Sequence, residues 1–106
     1  YREIISRCQA GRSRVLLFEV EIPEVAGLRC SDDAEFARRR IEWYRRQGAR
    51  MLRGIHYMQC VDTGEPPVEM HVMAHRLTDM TAQDVFVAAR DAFGDAVELI
   101  GVPDLV

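Results

Sequence analysis

The side chains with chemistry to offer in this sequence are three histidines, three cysteines, a tyrosine close to a helix stop and two acids at the end of a strand. His71 and His75, with His56 or Cys60, make up the one conceivable metal set. Read as a strand, Val68–Leu77 separates His71 from His75 by about 13 Å at ~3.3 Å per residue. Ligand atoms on a single zinc lie within ~2.3 Å of it, so no metal site is expected. His56 and His71 can face each other across a hairpin in a register the sequence does not fix, and a polar-face histidine pair is the expectation. Cys8, Cys30 and Cys60 are widely spaced and form no CxxC; they predict buried structural thiols in a reducing cytoplasm, neither a disulfide framework nor a nucleophile. G-x-S-x-G, P-loop and GxGxxG patterns do not occur. Tyr44 stands four residues before Gly48, which places a phenol near the C-terminal end of a helix, at the edge of its buried stripe.

These residues must be carried by regular elements, and the hydrophobic pattern supplies them. Tyr1–Ala10 reads as the end of a helix, with Gly11 as its left-handed stop. Arg14–Ile22 alternates as a strand: Leu16, Phe18, Val20 and Ile22 on one face, Val15, Leu17, Glu19 and Glu21 on the other. Pro23 stops it, and Pro23–Cys30 reads as a loop. A capping box of Asp32 and Glu35 starts a helix that runs to about Gln47. Its stripe of Ala37, Ile41 and Tyr44 is widened by Phe36 and Trp43, and Arg38, Arg39, Glu42, Arg45 and Arg46 lie on its solvated side, with Arg38 and Glu42 at pairing distance. Arg50–Cys60 and Val68–Leu77 are strands joined by a proline-containing loop, Val61–Pro67. Thr81 and Asp84 cap a final helix to Phe93. The tail, Asp95–Val106, is strand or extended segment.

The order strand–helix–strand–strand–helix predicts an α/β domain, residues 1–106, with a mixed sheet of three or more strands flanked by helices. A parallel right-handed crossover joins the first two strands, and a hairpin adds an antiparallel one. The first strand, apolar on both faces at its start, asks for a neighbour beyond the three strands, so an open edge and a homodimer or strand-exchanged assembly are expected.

Composition narrows the partners. All 14 basic residues are Arg, against 17 acids, for a net charge of -3 with 48% hydrophobic residues. That balance argues against a general nucleic-acid binder. No apolar run is long enough to span a membrane. The start at Tyr1, without Met and in mid-helix, reads as part of a longer protein.

The stretch Ala37–Arg50, ARRRIEWYRRQGAR, preceded by the acid-ended strand LFEVEIP and followed by a hairpin, resembles the C-terminal half of the GNAT superfamily of N-acetyltransferases. The family's fifth strand, fourth helix, sixth strand and seventh strand correspond to Arg14–Ile22, Asp32–Gln47, Arg50–Cys60 and Val68–Leu77. Its helix motif, N-x-x-A-x-x-[L/F]-Y-x-x-x-G-F, is matched by Trp43, Tyr44 and Gly48. It is departed from at Ala37, Arg40 and Ala49. The resemblance covers residues 1–77. The family's pyrophosphate-binding turn, Q/R-x-x-G-x-G/A, does not occur; it is expected upstream of Tyr1.

The resemblance implies a bacterial, cytoplasmic acetyltransferase using acetyl-CoA, bound weakly or not at all by this chain alone. The acceptor would be a small-molecule or peptide amine. Tyr44 would be the general acid for the departing coenzyme A thiolate; a phenol of pKa about 10 can protonate a developing thiolate of pKa about 8.5. Glu19 or Glu21 would be a base or a contact to the substrate amine. Phe18 and Val20 would line the pantetheine gap, while Arg40 and Arg45 would face the cofactor. The alternative is a small non-enzymatic αβ module for ligand binding or dimerisation.

Overall fold

The computed structural model describes residues 1–60 and 64–106; part of the expected hairpin loop, residues 61–63, lies outside the described residues. The elements are α1 (Arg2–Ala10), β1 (Val15–Glu21), α2 (Pro23–Ala26), α3 (Ser31–Arg46), β2 (Arg50–Gln59), β3 (Val68–Arg76), α4 (Ala82–Phe93), a 3-10 turn (Gly94–Ala96) and β4 (Val97–Leu105). The chain folds as α/β, with a four-stranded sheet in the order β1-β3-β2-β4.

Every neighbouring pair in that sheet is antiparallel, which corrects the mixed sheet expected from the sequence. β1 and β2 run the same way, but β3 lies between them. The reason is visible in β3 itself. Val72, Met73 and Ala74 are consecutive and fully buried, so both faces of this strand are apolar and it takes the centre. The ambiguous tail becomes β4 along the outer side of β2. Pro103 is tolerated there because an edge strand can spare a donor.

Two cores form, one per sheet face. Leu52, Tyr57, Val72 and Ala74 pack with Val85, Phe86 and Ala89 of α4. Val20, Met51 and Met73 pack with Ile41 of α3, and Phe18 and Tyr44 border them. β1 serves both, Val15 and Leu17 reaching the first cluster and Phe18 and Val20 the second. Its outer edge pairs with no strand among the described residues.

Several local expectations shift. Pro23–Ala26 is a single helical turn, with the proline at its first position, where a missing N–H costs nothing. Gly11 has φ -79, and Arg12 takes the left-handed conformation at φ 61. The Asp32–Glu35 capping box does not form. α3 starts one residue earlier, with Cys30 as N-cap and no side-chain cap bond, which leaves Asp32 and Asp33 in the first turn to meet the helix dipole. Glu35 instead pairs with Arg39 at 3.2 Å and Arg38 at 3.9 Å, so Arg38 is not bonded to Glu42 as the spacing suggested. The cysteines are not buried: Cys30 and Cys60 are exposed and Cys8 is half-buried.

The second capping box does form. Thr81 Oγ1 accepts from Asp84 N at 3.1 Å, and Asp84 Oδ2 accepts from Thr81 N at 3.0 Å. Thr81→Ala is therefore expected to cost about 1 kcal/mol, read as a lowered denaturant midpoint. The bond from the Thr81 backbone N–H, aided by the Thr81 hydroxyl, holds the Asp84 carboxyl below its ordinary range. The contribution of Asp84 is thus complete above the ordinary carboxylate range and lost as the pH falls through the lowered value.

Candidate functional site

α3 turns two flanks to the sheet. At 3.6 residues per turn, Ile41 points down, with Ala37, Arg40 and Tyr44 on one side of it and Arg38, Glu42 and Arg45 on the other. The first flank runs beside the open edge of β1. There the Tyr44 ring lies against Phe18 with centroids 4.5 Å apart. Trp43 stands edge-on to Tyr44 at 5.4 Å. Tyr1 closes the group from above, 6.0 Å from Tyr44 and 5.7 Å from Trp43. Its hydroxyl is 2.7 Å from His75 Nδ1, a bond the phenol donates when the imidazole carries its proton on Nε2.

Further along the same flank, Glu21, Phe36, Ala37 and Arg40 line a cavity of about 240 Å³. Phe36 is 66% exposed and Trp43 43% exposed. The widened stripe of α3 therefore is not covered; it borders the strand edge that lacks a neighbour. The Tyr44 hydroxyl makes no side-chain hydrogen bond among the described residues, and it is not sealed from solvent, unlike Arg45 Nε. Tyr44 lines neither the Glu21–Arg40 cavity nor the one beneath Tyr1 and His75.

The residues singled out from the sequence thus divide. Tyr44, Phe18 and Arg40 share the flank beside β1, and Glu21 reaches the cavity with Arg40 while its carboxylate pairs with Arg29 at 2.9 Å. Val20 is sealed in the core at 2% exposure, so only its backbone can face a ligand. Glu19 leaves the group altogether. Strand alternation sends it to the α4 side of the sheet, where it accepts from Gln59 Nε2. Burial and the neighbouring Glu19 carboxylate push the Tyr57 phenol up to about 12. Arg45 sits on the other flank of α3, among Pro23, Met51 and His71.

Among the described residues no group of three His, Cys, Asp or Glu could hold a metal. The β2–β3 pairing beside His56, Tyr57↔Met70, runs toward His71, and no hydrogen bond joins the two imidazoles among the described residues; His56 lies opposite Glu98 of β4, with its Nε2 3.7 Å from Glu69.

Tyr1 was not among the sequence candidates, and His75 entered only through the metal set that strand spacing set aside. His75 had a signal, since it alternates onto the face of Met73; its proximity to the glycine that ends α3 is tertiary. Gly48 has φ +108, and a Cβ there would stand 3.2 Å from His75 Cε1. Tyr1 had none, because its partner is 74 residues away.

Burial lowers the pKa of both His71 and His75. A neutral imidazole favoured by the fold contributes stability above the ordinary value of 6.5, and that contribution is lost as the pH falls through the lowered one. The denaturant midpoint should therefore drop on acidification below about 6.5. In a His71→Asn, His75→Asn double variant that drop should shrink; an unchanged drop would assign it to other groups.

The fold and this flank define an α/β domain with an aromatic cluster at an open sheet edge. Compared with known proteins, the chain matches no family model, no curated protein and no solved structure. No helix among the described residues is long and apolar enough to cross a membrane.

Proposed function

We propose that this chain is the C-terminal part of an acetyl-CoA-dependent N-acetyltransferase of GNAT type, with Tyr44 as the general acid. The observation that carries the reading is the contact of the Tyr44 ring with Phe18 of β1, the strand whose outer edge is unpaired among the described residues. The residue that resembles the family's helix tyrosine thus touches the strand that resembles its fifth. The unbonded hydroxyl and a cavity further along the same flank, at Arg40, also support a site here.

The thioester supplies an acyl carbon open to attack by an amine. As the new C–N bond forms and the C–S bond breaks, the Tyr44 phenol gives its proton to the sulfur, and solvent restores it. Outward-facing N–H groups of β1 can bind the acyl oxygen, as edge-strand donors bind any acceptor. Glu21, at the rim with Arg40, is the better placed of the two acids to hold or deprotonate the amine. Phe18 and Arg40 form the cofactor side. The same open edge suits pairing with a second copy, which sedimentation would detect.

Calorimetry with acetyl-CoA tests the reading. A version of the protein extended upstream of Tyr1 should bind, and the present chain only weakly or not at all, because much of the catalytic advantage lies in positioning. No binding by either would favour the non-enzymatic αβ module.

A further inference from the structure

The sheet has two outer strands, and their edges are built differently. β4 contains Pro103, which has no N–H to offer, and its ladder with β2 breaks between Arg53 and Ile55. Both features keep an edge from recruiting a further strand. β1 has neither. It pairs with β3 without a break, from Val15↔Arg76 to Glu21↔Met70. Leu77 N donates to Arg14 O at 2.9 Å, which fixes the alternation of the backbone. Arg14, Leu16, Phe18 and Val20 turn their N–H and C=O groups toward β3, and Val15, Leu17, Glu19 and Glu21 turn theirs outward. Beside this edge the α3 flank exposes Phe36 and Trp43. The strand also has a charge order: Arg12 and Arg14 precede it, and Glu19 and Glu21 close it. An antiparallel copy of the same strand sets base near acid at both ends, whereas a parallel copy sets like charge near like.

We infer that two copies of this chain pair through β1, antiparallel about a twofold axis at Phe18, with Val15 opposite the partner's Glu21 and Leu17 opposite the partner's Glu19. This register overlaps the whole strand, uses all of its outward-turned backbone groups and runs one sheet through both copies. Each copy then shields the Phe36 and Trp43 of the other. The outward N–H groups it occupies are those given above to the acyl oxygen, so the dimer and an acetyl-CoA complex exclude each other. The pairing itself rests on the fold alone.

The test combines sedimentation with amide hydrogen exchange over a concentration series. The chain should pass from monomer to dimer, and exchange should slow at the Leu17, Glu19 and Glu21 amides as the dimer fills, while β4 is unaffected. Glu21→Pro removes an outward donor that β3 does not use, and Phe36→Asp places a charge on the shielded flank at a position exposed in the monomer. The axis repeats each change, so each variant should raise the dimer dissociation constant at least about tenfold, with exchange in the rest of the sheet unchanged. The inference is overturned by a chain that stays monomeric up to its solubility limit, by slowing along β4 in place of β1, or by two folded variants that dimerise like the parent. A version extended upstream of Tyr1 that is monomeric yet protects the same three amides would give the edge to an upstream strand and overturn it as well. Acetyl-CoA enters none of these readouts, so the dimer and the acetyl-transfer reading fail separately.

Discussion

Gly54→Val is expected to lower the thermal midpoint by at least about 8 °C. Gly54 sits at the point where β2 changes its register with β4. The pairing runs Leu52↔Leu105 and Arg53↔Asp104, then resumes at Ile55↔Leu99. Its φ is +85, and a Cβ there would collide with the Val102 carbonyl oxygen, 2.8 Å from its carbon and 3.2 Å from Pro103 N. A β-branched residue adds strain of about 1–3 kcal/mol in the left-handed region and overpacking of a similar size, about 1–3 kcal/mol. β2 cannot move aside, because Leu52 is paired with Val72 on its inner side. At roughly 4–8 °C per kcal/mol for a domain near this size, the two together reach the stated drop even at their lower bounds. Gly101→Ala is the control, since its Cβ would meet only Gly54 Cα at 3.7 Å and should change the midpoint little. A Gly54→Val protein that melts with the parent would remove the bulge from this account.

Tyr44→Phe is expected to leave stability within about 0.5 kcal/mol while slowing acetyl transfer about a hundredfold or more in a version of the protein that performs it. The substitution keeps the ring on Phe18 and removes only the proton donor. The alkaline fall in rate should disappear with it, which a packing role could not produce. Tyr44→Ala, by contrast, should lose activity and roughly 2 kcal/mol of stability together, because it also empties the space between α3 and β1. Equal rates for the parent and the phenylalanine variant would leave Tyr44 a packing residue.

Much of this was legible in the residue pattern, and the failures share a cause. Alternation in β1 separated Phe18 and Val20 from Glu19 and Glu21; the sheet keeps Glu19 apart, whereas Glu21, at the strand's end, reaches the cavity on the α3 flank. Thr81 with Asp84 and the stops at Gly48 and Gly94 marked helix ends where helices end. Strand order was not legible, because β1 and β2 can sit parallel side by side or with β3 between them. Only the burial of Val72, Met73 and Ala74 on both faces decides it. Register was not legible either: β2 changes its pairing with β3 between Leu52 and Tyr57 and with β4 between Arg53 and Ile55, an irregularity that side-chain alternation alone does not announce. The site divides in the same way. Helical spacing put Tyr44 and Arg40 on one flank, and the same spacing puts Arg45 on the other. Glu19 was joined to Tyr44 by the family resemblance, whereas the sheet lies between them. Tyr1 against His75 is a tertiary contact with no local trace.

The most direct measurement is a titration of the isotope-labelled protein with acetyl-CoA, in this chain and in a version extended upstream, read residue by residue from amide shifts. The account predicts that the perturbed amides gather along the outer edge of β1, at Phe18 and Val20, and on the adjoining flank of α3, at Arg40 and Tyr44. Shifts confined to α4, to β4 or to the Arg45 cleft, or no shifts in either version, would contradict it.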